Sequence, residues 1–172
     1  MPTELRRIGT VLMVASLAAC SSLQEVNTEP DYAWQMNAKV AFRTDTDSGT
    51  AKAVFTQSED QVGLRLSGAM GLRSFSIECS GQHCVTTDAQ GTQNTVSLND
   101  GLIELLPNTF VPVYDLFLWV RGHKPEDHES FGWRVTIETD GSTPNALPTR
   151  ITLEHDLGAR IKIAVIDWSD AG

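Results

Sequence analysis

Beyond Tyr32 the chain settles into a two-residue rhythm of apolar and polar side chains. Ala38, Val40 and Phe42 alternate with Lys39 and Arg43, and Val62, Leu64 and Leu66 with Gly63, Arg65 and Ser67. Phe75 and Ile77 alternate in the same way with Ser74, Ser76 and Glu78. Successive side chains of an extended chain point to opposite faces, so this rhythm predicts strands buried on one side and wet on the other. Thr50 to Gln57, Val85 to Asp88 and Thr95 to Leu98 are weaker candidates of the same kind. Late in the chain Trp133, Val135 and Ile137 alternate with Arg134, Thr136 and Glu138, then Ile151 and Leu153 with Arg150, Thr152 and Glu154, and a last strand is expected from Arg160 to Trp168.

The middle of the chain changes period. Leu102, Leu105 and Leu106 stand at helical spacing after Asn99-Asp100, which are good helix-capping residues. Val113, Leu116, Phe117 and Val120 fall at i, i+3, i+4 and i+7, with Pro112 suited to a first turn and Gly122 to a C-terminal cap. Two short helices are therefore expected between a run of about six strands and a run of about three, which is an α+β arrangement of antiparallel strands with segregated helices. Such a sheet either curls around something or stays one-sided. No internal repeat and no second domain is evident.

The first residues are of another kind. Arg6 and Arg7 precede an apolar run from Ile8 to Ala15, which leads into Leu17-Ala18-Ala19-Cys20, the order of charge, apolar core and small residues that marks an export signal. The run is shorter than the roughly 20 apolar residues that span a bilayer. Leu-Ala-Ala-Cys resembles the lipobox of bacterial lipoprotein precursors, which implies removal of residues 1–19 and acylation of Cys20; the alternative is an ordinary secretory signal that contains a cysteine. Ser21 is not the aspartate that retains many such proteins at the inner membrane, so the implied destination is the periplasmic face of the outer membrane. Residues 20–32, polar and with no regular period, read as a tether able to reach about 40 Å at about 3.3 Å per residue, and residues 33–172 as the one folded domain.

Charge narrows the partners. The full chain has 13 basic and 22 acidic side chains, a formal −9. Loss of Arg6, Arg7 and Glu4 with the signal leaves 11 against 21, or −10. That balance argues against nucleic acid and against attraction to anionic lipid, so membrane attachment is expected to come from acyl chains. Apart from Cys20 the chain has Cys79 and Cys84, which flank Ser80-Gly81-Gln82-His83, a plausible four-residue hairpin loop. In an exported chain they can form a disulfide or remain thiols; a zinc site with His83 lacks a second ligand pair at recognisable spacing.

The succession AKVAFRTDTDSGTAKAVF, LRLSGAMG, VPVYDLFLWVRG, GWRVTIE, LPTRITL and RIKIAVIDW resembles, in order and spacing, that of the LolB family of outer-membrane lipoprotein receptors, and covers nearly all of the chain after Cys20. The resemblance implies a strongly curved antiparallel sheet, an unclosed β-barrel, with short helices forming a lid over an apolar cavity. It implies that the cavity takes the acyl chains of lipoprotein cargo from a LolA-like periplasmic carrier, and that the cargo is then inserted in the outer membrane by a single copy of the protein with no cofactor. Leu64, Leu66, Val113, Leu116, Phe117, Trp119, Val120 and Trp133 would form the cavity and lid. Trp119, Trp133 and Trp168 match the family's tryptophans and would serve either in core packing or in acyl contact. Gly68, Ala69, Met70 and Gly71 match the family's protruding turn, in which Met70 would enter lipid; small neighbours let a turn project, and a thioether imposes no single packing geometry. Methionine stands there in place of the more usual leucine, the segment ahead of the first strand is short for the family's leading helix, and AVFTQ lacks a tryptophan often found in that strand.

No catalytic site is expected. Neither a Gly-x-Ser-x-Gly elbow nor a phosphate loop ending in Gly-Lys-Ser/Thr occurs. The polar run His123 to Glu129 reads as a solvated connection or, less simply, a metal site, and His155 is expected on the polar-facing register. Two further readings remain: a structural lipoprotein that docks its open sheet onto an envelope complex, and a LolA-like soluble carrier.

Overall fold

A computed structural model describes residues 33–69, 74–106, 108–123, 131–141 and 146–170. Cys20, Met70 and Gly71 lie outside these residues, as does most of the run from His123 to Glu129. Six strands come first: β1 (Trp34–Arg43), β2 (Ser48–Gln57), β3 (Gln61–Ala69), β4 (Phe75–Ser80), β5 (His83–Thr87) and β6 (Gln93–Ser97). A hairpin of β7 (Leu102–Leu106) and β8 (Thr109–Pro112) leads into the helix α1 (Val113–Val120), and β9 (Trp133–Thr139), β10 (Pro148–His155) and β11 (Arg160–Asp170) complete the chain.

Nine strands form one antiparallel sheet in the order β6-β5-β4-β3-β2-β1-β11-β10-β9, so that first and last strands pair in its interior while β6 and β9 are its two edges. The edges do not pair with each other, which leaves the barrel unclosed. The sheet nevertheless wraps: Cys84 of β5 and Trp133 of β9 belong to the same apolar core as Met36 and Phe55 near its centre. A bulge helps it bend. Asn37 pairs with Asp167 but Ala38 with Val165, and the extra residue, Ile166, is left exposed.

Alternation decides which side chains face inward. In β1, Trp34, Met36, Ala38, Val40 and Phe42 are buried, while Gln35, Asn37, Lys39, Ala41 and Arg43 take the other face. The outer face carries register-paired charges, Arg150 with Glu138 at 3.1 Å and Arg160 with Glu154 at 2.7 Å. These pairs are half-exposed and contribute little to stability.

The expected helix at Leu102, Leu105 and Leu106 is not formed; these residues lie in β7, and α1 is the only helix among the described residues. Pairing across the hairpin overrides the helical spacing: Ile103 lies opposite Val111 and is buried, whereas Leu102 is exposed. Asn108, in left-handed backbone (φ 55°), turns the chain, and its amide donates to Glu104 Oε1 at 2.7 Å. The second expected helix is present as α1. Pro112 precedes its first residue in extended backbone, and Gly122, with φ of 89°, allows the amides of Gly122 and His123 to reach the carbonyls of Trp119 and Leu118. Between Cys79 and Cys84 the loop is Gly81-Gln82 rather than four residues, since Ser80 and His83 belong to β4 and β5. The two cysteines are register partners, and their sulfurs are bonded.

Candidate functional site: the concave face and its cover

The inward face of the nine-stranded sheet is covered by α1 and the β7–β8 hairpin. This cover shares no strand ladder with the large sheet. It rests on side chains: Val113, Leu116, Phe117, Trp119 and Val120 are the buried face of α1, and Phe117 meets Phe55 of β2 edge-on with ring centroids 6.3 Å apart. An aromatic pair of this geometry adds about 0.5–1.5 kcal/mol to what burial itself contributes.

Tryptophans fasten the cover at both ends. Where α1 ends, the Arg121 guanidinium lies 5.0 Å above the Trp34 ring, and Arg121 Nη1 and Trp34 Nε1 both donate to Gln57 Oε1, at 3.3 and 2.9 Å. Trp34 in turn contacts Trp168 at 5.4 Å, whose indole donates to the Pro148 carbonyl at 3.1 Å. On the hairpin, the Phe110 carbonyl accepts from Trp133 Nε1 at 2.9 Å. Trp133 stands edge-on to His155, with centroids 4.8 Å apart. His155 therefore lies on the Trp133 side of β10 and not on the polar-facing register expected for it, because it continues the inward series Ile151, Leu153.

All eight residues assigned from sequence to cavity and lid are brought together on this seam: Leu64, Leu66, Val113, Leu116, Phe117, Trp119, Val120 and Trp133 belong to one cluster, each at most 7% exposed. They are packed against one another. Thr86 and Thr109 are the only buried polar residues among those described, and no buried side-chain polar atom there lacks a partner. One hollow of about 820 Å³ lies on the outer face of the sheet, with walls that mix Thr56, Arg65, Ser76 and Glu78 with Val54, Val62 and Val85. A second, of about 270 Å³, runs beside the Arg150 and Arg160 ion pairs.

Gly68 and Ala69 end β3, paired with Ala51 and Thr50 of β2, at the end of the sheet where β1 finishes and β11 begins. Sequence reasoning did not single out Trp34, Gln57, Phe110 or Arg121. Their roles depend on contacts between distant segments, Arg121 with Gln57 and Trp34 with Trp168 among them, which periodicity does not register. Among the described residues no group of three or more His, Cys, Asp or Glu could hold a metal, and no helix is long and apolar enough to cross a membrane.

A half-wrapped sheet whose inner face meets its cover mainly through apolar side chains, with hydrogen bonds only at the ends, defines a protein built around a greasy seam. The chain belongs to the family described as outer membrane lipoprotein LolB, whose pattern it matches over residues 32–168. It is 32% identical to an outer-membrane lipoprotein LolB of Pseudomonas fluorescens, over 62% of this chain and 51% of that protein. It is 23% identical to one of Dechloromonas aromatica over 95% of this chain and 97% of that one. A Cellvibrio japonicus protein of the same name is 27% identical over 92% and 93%.

Proposed function

We propose that this protein is a lipid-anchored receptor at the outer membrane that accepts the acyl chains of lipoproteins from a periplasmic LolA-like carrier and delivers them to the bilayer. The observation that carries the reading is the seam. The cover meets the sheet through apolar side chains and a few hydrogen bonds at its ends, so it can lift without breaking a strand ladder. In the packed state its own side chains occupy the place of the ligand. An entering acyl chain exchanges one apolar contact for another, which keeps the free-energy change of opening small.

Acyl chains cannot make the journey through water. A triacylated cargo with about 45 methylenes would cost on the order of 35 kcal/mol to expose at about 0.8 kcal/mol each, an upper bound because chains cluster. Passage from pocket to pocket to bilayer keeps them buried, and direction follows when each acceptor holds them more tightly than the last donor. No bond is made or broken in this transfer, so no cofactor, metal or nucleotide enters it. Cys20 carries the anchor, Leu64, Leu66 and the buried face of α1 take the chains, and the turn Gly68-Ala69-Met70-Gly71 presents Met70 to lipid.

The experiment is a two-stage transfer. Acylated peptide is passed from carrier to receptor and then to vesicles, with the unaltered protein and with Met70→Glu. Acceptance persists and insertion is lost in the variant; insertion that survives the charge overturns the role of the turn, and a protein that takes no acylated peptide overturns the receptor reading. A docking lipoprotein would leave the peptide with the carrier.

A further inference from the structure

Three exposed apolar residues gather around the buried ring of Trp133 and the half-buried ring of His155. Phe131 is 62% exposed, Leu157 77% and Phe110 49%. Each is held through its backbone. The Leu157 amide donates to His155 Nδ1 at 3.1 Å, which places the ring proton on Nε2, and Nε2 donates to the Phe131 carbonyl at 3.1 Å. His155 packs edge-on against Trp133, whose indole holds the Phe110 carbonyl. The Asp156 amide adds a bond to the Gly132 carbonyl at 3.0 Å.

Nothing in folding alone calls for this arrangement. Phe131 has φ of 54°, a left-handed backbone that is unfavourable for an aromatic residue, and its ring gains little burial in return. Gly132 follows with φ of 79°, and a Cβ there would lie 3.1 Å from His155 Nε2, so the close approach of ring and loop requires glycine. Leu157 occupies the tip of the turn between β10 and β11, a place where polar residues serve the turn better. Strain retained where it yields no packing points to a surface kept for contact.

The register locates that surface. The β10–β11 turn and the start of β9 lie at the end of the sheet where β1 finishes and where the chain leaves β3 at Ala69. Behind the tips, on the outer face, one row of register partners reads Arg43, Arg160, Glu154 and Arg134, with Lys162 in the next row. Among the described residues, Glu154 together with Asp45, Asp47 and Asp156 in the adjoining turns matches these four cations in number. Apolar tips backed by guanidinium groups match the layered chemistry of a bilayer surface, acyl region outermost from the protein and phosphates behind it. The tether also reaches. Residues 20–32 extend to about 40 Å, against about 33 Å for the ten residues of β1, so a chain anchored ahead of Trp34 can lay the far rim on the same membrane.

We propose that Phe131, Leu157 and Phe110, positioned by Trp133 and His155, form a lipid-contacting rim that docks the receptor against the bilayer. The proposal deepens the receptor reading by adding a site of membrane contact outside the Met70 turn. It is tested with the full lipidated chain in vesicles of phosphatidylethanolamine and phosphatidylglycerol that carry nitroxide-labelled acyl chains. A fluorophore is attached at Leu157→Cys and, in a second protein, at Glu59→Cys in the β2–β3 turn of the opposite rim. The 157 probe is quenched and blue-shifted and the 59 probe is not. Equal quenching at both positions, quenching at 59 alone, or a blue shift at 157 without quenching, which would signal contact with another protein copy, overturns the proposal. In a functional arm, Leu157→Glu combined with Phe131→Glu lowers insertion of acylated peptide by about tenfold or more, the value of withholding a large apolar side chain from lipid, while acceptance from the carrier is unchanged. Unchanged insertion overturns it. Because quenching requires no cargo, a quenched 157 probe in a protein that binds no acyl chain retains the rim and removes the receptor reading, and the reverse result does the opposite.

Discussion

His155 stands edge-on against Trp133 at 4.8 Å, and each ring donates one hydrogen bond to a different surface segment, His155 to Phe131 and Trp133 to Phe110. The pair joins the β9 entry, the β10–β11 turn and the hairpin of the cover into one unit at the rim.

Replacing His155 by phenylalanine keeps a flat ring against Trp133 and removes both of its hydrogen bonds. At about 0.5–1.5 kcal/mol for each net bond, the loss is on the order of 1–3 kcal/mol. The urea midpoint falls while the slope of the transition is unchanged, because the surface exposed on unfolding is the same.

Arg121→Met removes the cation from above Trp34 and the bond to Gln57 Oε1 while retaining an apolar stem. About 1 kcal/mol is lost, in the range for a cation over an indole face at a partly exposed site. Amide exchange in α1 accelerates while the β1–β2 ladder keeps its protection, since the cover opens independently of the sheet.

Leu116 is buried at 1% exposure on the seam. Leu116→Ala lowers stability by about 2–5 kcal/mol through lost burial and a cavity. If the seam is where acyl chains enter, a saturating amount of laurate raises the melting midpoint of this variant more than that of the unaltered protein, because the ligand fills the new space. Equal shifts in both would place laurate elsewhere.

The Cys79–Cys84 bond joins residues five apart and closes a very small loop. Its removal by paired alanine substitutions costs about 2 kcal/mol or less, read as a shift in denaturation midpoint that reducing agent reproduces in the unaltered chain. Acyl-chain binding is expected to persist without it.

The sheet was largely legible because its signal is local. Alternation in Ala38-Val40-Phe42 or Trp133-Val135-Ile137 reports a buried face whichever strand lies next door. The spacing of Val113, Leu116, Phe117 and Val120 reported α1 in the same way, and Gly122 its end. The stretch Leu102-Ile103-Glu104-Leu105-Leu106 misled because its leucines fit a helical stripe, whereas the residue that matters is Ile103, set against Val111 by a turn at Asn108. An Asn followed by Thr109-Phe110-Val111 was the available signal for a hairpin. The eight residues expected at the cavity and lid fall in one buried cluster, but alternation cannot distinguish a lined hollow from a packed seam. The rim was not legible at all: Phe131 and Leu157 belong to no periodic run, and the histidine that holds both was assigned to the wrong face.

The central claim is that the seam between the sheet and its cover gives way to fatty chains. It is tested most directly by titrating the domain from residue 33 onward, free of its own anchor, with a fluorescent fatty acid and displacing the probe with acylated peptide. The account predicts saturable binding at one site, full displacement by the acylated peptide and none by the same peptide without its chains, together with faster amide exchange in α1 than in β1. A domain that binds no aliphatic chain, or binds one while α1 stays as protected as β1, would contradict it.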